Sequence, residues 1–471
     1  MESPRLELQS IIASMLNNKG AVLMQQKKYA EAQISFSRAL RACEQDNDSN
    51  LHAKSPTKDL QNESTYLVEI NKKIIHLFPN LTTSGTKRSE KALKYRREYD
   101  EGMDHFHTPF RLKLSSKGLK GTIKFNLGRM AHSQGKFANA LALYKGSFID
   151  LIASDSQEDS IVVAILFCTG QIQYIENNPQ DALTTFMMAL DLAKSVFGCH
   201  SLAVASCLNS IGVLHYSCPN GDSNVALQYL LKSLRQRRRL QVSSWQIGTV
   251  WNNIGRVHFQ HGNLDHAIEA YLEALKIRKH FRSDSLDCAA TMFNIGQVYH
   301  HKGELTKALE LYKQFESLAK RHFGEYHRDI CMVKTHIGQV HHERKDFEVA
   351  LTTFESALRL GYEVLGYMHP DVAVTLNKMG NLYYELGDQY YEKALHVYHT
   401  GLQIELANAS EEDGITNVSV TLTNIALIYT LTFQYDESLV FYKKLLDLQK
   451  ESNCCSADIA KTYSYIGKLV S

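Results

Sequence analysis

Apolar residues recur along most of the chain at spacings of four and seven, the period at which 3.6 residues per turn returns side chains to one helix face. The clearest cases are small, large, small triples: Ala32, Phe36 and Ala39; Ala182, Phe186 and Ala189; Ala267, Tyr271 and Ala274; Ala350, Phe354 and Ala357. The small marker continues at Ala140, Ala226, Ala308, Ala394 and Ser438. The large one continues at Tyr144, Tyr312, Tyr398 and Tyr442, with Leu230 as the aliphatic exception. Twelve or fourteen residues before each marker lies a second small slot, filled by Gly20, Gly128, Gly170, Gly212, Gly255, Gly296, Gly338, Gly380 and Ala426; Gly467 extends the series. From Gly128 to Gly380 the slots are 41 to 43 residues apart. Each unit is therefore expected to hold two helices, the first carrying the glycine and the second the small and aromatic residues.

A glycine inside a helix costs roughly 1 kcal/mol relative to alanine, so its return at one slot implies that a partner helix leaves no room for a side chain. Leu127, Ile211, Ile254, Ile295, Ile337, Met379 and Ile425 precede the slot and supply core. The turns His261-Gly-Asn-Leu-Asp, His301-Lys-Gly-Glu-Leu and Leu386-Gly-Asp put a glycine where a helix ends in a left-handed residue. The pattern divides the chain into a first hairpin at 10–46, an insertion at 47–117, eight tandem repeats at 118–455 and a capping helix at 456–471. The insertion opens on the polar run Asp46-Asn-Asp-Ser-Asn, so its first part is expected to lack order. Leu67, Ile70, Ile74 and Leu77 have the spacing of a short helix, and Phe106 to Leu114 that of an extended segment. Between Lys87 and Lys124 there are eleven Lys or Arg against five acidic residues, a basic flank suited to a solvated linker.

Composition narrows the function classes. The chain is 44% hydrophobic, enough for a core along most of its length, and 52 basic against 50 acidic residues leave a net charge of +2, no global field for nucleic acid or an anionic membrane. No run of 18 apolar residues and no signal-peptide core occurs, which points to a cytoplasmic protein. The nine cysteines include no CxxC pair. No P-loop, GxSxG or HExxH pattern appears, so no enzyme, cofactor or metal site is expected. The pairs His300-His301 and His341-His342 suggest metal, but His258 and His341 fall at a packing slot, and equivalent positions on adjacent helices lie about 10 Å apart, too far to share an ion. The run Arg235-Gln-Arg-Arg-Arg239 ends a second helix, where cations suit the dipole and a solvated helix end is expected.

Trp251, Ile254, Gly255, His258, Ala267, Tyr271 and Ala274 resemble the signature of the tetratricopeptide repeat. The 42-residue unit, and the run Val364-Leu-Gly-Tyr-Met-His-Pro-Asp-Val-Ala-Val-Thr-Leu-Asn-Lys-Met-Gly380, are similar to the longer repeats of kinesin light chains and nephrocystin-3-type proteins. The resemblance implies an all-α fold, an α–α superhelix of about nine hairpins and a capping helix, with the first helices lining a concave groove. It places Asn252, Asn253, Arg256, Gln260, Asn294, Gln297, His301, Gln339, His342, Asn377, Asn381 and Tyr384 on that wall. Amide side chains both donate and accept, as gripping a peptide backbone requires, and Arg256 and Lys378 suit acidic side chains. The function implied is a scaffold or adaptor that binds a peptide or helical segment of a partner protein, without catalysis. The alternative is an autoregulated signalling or transport adaptor whose insertion 47–117 occupies the groove, like a kinesin light chain in cargo binding. The heptad region that would join a motor is absent from the pattern.

Overall fold

The computed structural model describes residues 4–26, 28–47, 118–153, 159–218, 221–241, 245–408, 412–451 and 456–470. The insertion, with its basic flank, its short helix and its extended segment, lies outside them from residue 48 to 117. Among the described residues there are nineteen α-helices and no strand. They fall into two compact units, residues 1–261 and 262–471.

The first unit holds α1 (Pro4–Gln25), α2 (Tyr29–Asn47), α3 (Leu119–Ser133), α4 (Phe137–Ala153), α5 (Asp159–Ile175), α6 (Pro179–Phe197), α7 (Leu202–Ser217), α8 (Ser223–Arg239) and α9 (Trp245–Gln260). The second holds α10 (Leu264–Arg282), α11 (Leu286–His301), α12 (Leu305–Phe323), α13 (Arg328–Glu343), α14 (Phe347–Leu365), α15 (Pro370–Glu385), α16 (Tyr391–Asn408), α17 (Glu412–Leu431), α18 (Tyr435–Glu451) and α19 (Ser456–Val470). Helices pair consecutively: α1 with α2, α3 with α4, α5 with α6 and α7 with α8 in the first unit, then α11 with α12, α13 with α14, α15 with α16 and α17 with α18 in the second.

The slot glycines explain the pairing. A Cβ placed on Gly338 would lie 2.7 Å from the Phe354 ring, one on Gly380 2.5 Å from Tyr398, and one on Gly128 2.7 Å from Tyr144. The aromatic ring of each second helix rests on the bare backbone of its own first helix. The markers predicted to be small, from Ala32 through Ser438, are fully buried, and Phe36, Tyr144, Phe186, Tyr312 and Phe354 are buried with them. Burial of one such ring removes about 150–250 Å² from water. Gly262, Gly303 and Gly387 take positive φ of 71°, 74° and 95° at the predicted turns. Asn177, Lys345 and Phe433 serve the same turn in other hairpins at φ 62°, 64° and 61°.

Two features were absent from the sequence pattern. Successive repeats are joined by a polar bond from the end of a second helix to the next first helix: Arg278 Nη1 donates to Thr291 Oγ1 (2.6 Å) and Thr462 Oγ1 to Gln449 Oε1 (2.9 Å). Arg237, from the arginine run expected to be solvated, is buried in the same role and donates to Gln246 Oε1 (2.6 Å) and Ser206 Oγ (3.1 Å). Second, α2 packs directly on α3 across the insertion, in a core that joins Ala13, Leu23 and Phe36 to Leu119, Ile123 and Met130. Asn126 Nδ2 donates to Asn17 Oδ1 at 3.0 Å across the same junction. The first two hairpins therefore meet as neighbours although residues 48–117 separate them in the sequence.

Candidate partner-binding wall

On each first helix the residues flanking the slot glycine that do not face the second helix form the candidate wall, and each unit presents its own stretch. In the first unit, Asn252 and Asn253 are buried and Asn253 Nδ2 donates to Asn209 Oδ1 (3.1 Å) on the preceding first helix. That amide works sideways, tying α7 to α9. Arg256 is half-buried with its guanidinium 5.2 Å from the centre of the Tyr216 ring, and Gln260 is exposed.

The other eight expected residues lie in the second unit. Asn294, Gln297 and Gln339 are half-buried, and His301 is exposed. Gln339 Nε2 donates to Glu343 Oε1 (3.0 Å) one turn on. His342 is half-buried with Nε2 2.6 Å from Glu385 Oε2 on the next first helix. Asn381 is exposed; its Oδ1 accepts from the Tyr398 hydroxyl (2.5 Å) and from Asn424 Nδ2 (3.2 Å). Tyr384 stacks on Tyr391, ring centres 5.9 Å apart. Asn377 turns away from this row: its Nδ2 donates to Glu405 Oε1 (2.7 Å) and Thr421 Oγ1 (2.8 Å), within the joint between repeats.

The structure adds acidic members to the wall of the second unit. His300 Nε2 lies 3.0 Å from Glu343 Oε2 without the alignment of a hydrogen bond, and one repeat later His342 Nε2 is hydrogen-bonded to Glu385 Oε2 at 2.6 Å. A histidine four residues after one slot therefore meets a glutamate five after the next. Their signal lies in that offset, visible only once helices are stacked. Behind the row, His336 packs against Phe293 and Tyr312, ring centres 5.1 and 5.5 Å away. Burial, helped by charge on His300, Lys378 and His301, lowers its pKa to about 4. Burial also lowers the pKa of Lys378, against the pull of Glu343. Amides, a neutral imidazole and alternating His and Glu can hold backbone and charged side chains of a peptide. Among the described residues, no three His, Cys, Asp or Glu converge as metal ligands, and no helix is long and apolar enough to cross a membrane.

The tetratricopeptide repeat family matches the chain at residues 13–46, 246–321, 329–404 and 418–453. No curated protein matches it. Among solved structures, the apo form of the quorum sensor NprR from B. thuringiensis is 13% identical, with 76% of this chain and 99% of that one covered and a TM-score of 0.55. The Rap conjugation gene regulator of the plasmid pLS20, in complex with the Phr* peptide, is 16% identical, with 84% and 96% covered and a TM-score of 0.44. A putative kinesin light chain of Podosopora anserina with nearly identical TPR-like repeats is 14% identical, with 45% and 99% covered and a TM-score of 0.37. At these identities the likeness concerns fold, and the NprR comparison carries it. Residues 13–46, 246–321, 329–404 and 418–453 are thus tetratricopeptide repeats, in keeping with the 42-residue spacing and the rings seated on slot glycines.

Proposed function

We propose that this chain is a non-catalytic scaffold whose first-helix wall in residues 286–385 binds an extended or helical segment of a partner protein. The observation that carries the reading is the row Asn294, Gln297, His301, Gln339, His342 and Asn381, polar side chains left half-buried or exposed on helices whose other faces are consumed by packing. Partly exposed amides retain valences for a peptide backbone, and the rigid hairpins behind them limit the entropy lost on binding. Lys378 and Arg256, each in its own unit, suit acidic side chains on the ligand. Affinity capture with the full chain, followed by mass spectrometry, identifies the partner. The triple change Asn294→Ala, Gln297→Ala and Gln339→Ala should reduce its recovery at least tenfold, and unchanged recovery would refute the wall.

A second reading, regulation by the insertion, draws on the direct packing of α2 on α3. Residues 48–117 are not needed to complete the fold there and remain available for another role. Replacing them with a short Gly/Ser linker should leave the thermal transition of the repeats intact and strengthen partner binding. Equal affinity with and without the segment would remove this reading.

A further inference from the structure

The polar bonds between successive repeats come from one register position, the eleventh residue after the small marker: Arg237 after Ala226, Arg278 after Ala267, Glu405 after Ala394 and Gln449 after Ser438. Arg237, Arg278 and Gln449 bring N–H donors to their joints, and Glu405 brings a carboxyl. It is 8% exposed where α15, α16 and α17 meet, and Thr421 beside it is fully buried.

Donors and acceptors do not balance at that joint. Asn377 Nδ2 uses both of its hydrogens, on Glu405 Oε1 (2.7 Å) and Thr421 Oγ1 (2.8 Å), and the Thr421 hydroxyl is turned to the same carboxyl. Glu405 Oε2 and Asn377 Oδ1 are left as buried oxygens without a donor. Among the described residues no charged side chain offsets the carboxylate. On α15, Asp371 is held by Arg328 at 2.8 Å, and Lys378 lies under the pull of Glu343. On α16 itself His399 lies against Tyr429 and Phe441; Tyr362 of α14 packs on Tyr367, and Tyr442 of α18 on Tyr465. Burial, opposed by the bonds from Thr421 and Asn377, pushes the Glu405 carboxyl above the usual carboxylate range. The ionised group leaves acceptors facing no donor, whereas the neutral acid supplies one hydrogen more and buries no charge.

We infer that Glu405 is a proton-operated catch between repeats: neutral, it holds α17 firmly on α15 and α16, and ionised, it loosens that seat. The joint carries α17 and, through it, α18 and α19. It is separate from the wall, so the inference stands apart from the proposed function. An acid whose folded pKa is raised stabilises fully below its ordinary value, and that stabilisation is lost as pH rises through the folded value.

Glu405→Gln keeps the shape of the side chain and offers N–H hydrogens at every pH, so it imitates the neutral acid. Backbone amide exchange in α17, read by mass spectrometry on the full chain and corrected for the intrinsic rate, compares the two proteins. Their protection should be alike at pH 5, and at pH 8 the Glu405→Gln chain should be protected about fivefold more. The ratio between the two cancels His336 and every other titrating group they share. In Glu405→Leu, which lacks the titrating group, α17 should likewise keep its protection from pH 5 to pH 8, and a fall there would count against the catch. Equal protection of Glu405 and Glu405→Gln chains at both pH values overturns the inference. So does a gap at pH 8 that sodium or potassium chloride closes and choline chloride does not, because a metal cation would then be meeting the carboxylate.

Discussion

The residue immediately after the slot glycine is sealed in the early repeats of the first unit and reached by water from Arg256 onward. In the first unit Arg129 and Gln171 occupy it and are 4% and 1% exposed. Arg129 Nη1 and both amide atoms of Gln171 have no hydrogen-bond partner, and burial lowers the Arg129 pKa despite its neighbours. In the second unit the same position holds Gln297 and Gln339, half-buried, and Asn381, exposed. One repeat register therefore fixes which residues share a helix face without fixing how much of that face water reaches. Gln297, Gln339 and Asn381 keep contact with water, whereas Arg129 and Gln171 bear the cost of desolvation.

The largest expected effect tests what the units share. Gly338→Leu should destabilise the second unit by about 3 kcal/mol in urea unfolding, because Phe354 lies where its side chain must go. A near-neutral result would show that the ring yields and that the slot does not dictate glycine. Next comes the contrast itself. Arg129→Met should stabilise by about 2 kcal/mol, since it removes a buried cation without a carboxylate partner, and Gln171→Leu by about 1 kcal/mol. Gln339→Leu should change stability by less than about 0.5 kcal/mol. Equal responses at Gln171 and Gln339 would erase the difference between the walls.

His336 gives a pH signature to the second unit. Its folded pKa is depressed to about 4 from the ordinary 6.5, so the unfolded chain binds the extra proton between those values. Its contribution is complete above about pH 6.5 and is lost as pH falls towards 4. His336→Gln should flatten that part of the stability curve, measured by thermal unfolding from pH 7 to 4; an unaltered slope would show that His336 is not the group responsible. The turns offer a last, modest effect. Phe433→Gly should raise stability by about 1 kcal/mol by relieving a left-handed aromatic residue, while Asn177→Gly should change little, because asparagine tolerates that conformation. Similar gains at both sites would mean that residue type does not set the turn strain.

The hairpins are readable in the sequence because their determinants are local and repeated. Gly338 and Phe354 are sixteen residues apart, and the relation recurs with the same signs at Gly20 and Phe36. The wall is less readable, because exposure depends on how neighbouring first helices are rotated and on the bulk of their side chains. Nothing in the sequence around Asn253 shows that its amide is taken by Asn209, or that Asn377 serves Glu405 and Thr421 while Asn381 stays at the surface. The arginine run misleads for a related reason: four of its five residues suit a solvated helix end, but the helical period carries Arg237 inward to Gln246. The pairing of Asn17 with Asn126 depends on a junction that chain order conceals.

That junction has an entropic consequence. Seventy residues of chain stand between α2 and α3, so the first hairpin is held on its neighbour by the core they share far more than by a short covalent turn. Cleavage between residues 48 and 117 would turn that intramolecular contact into a bimolecular one, and residues 4–47 would be retained only as far as the core around Phe36 and Ile123 can hold them.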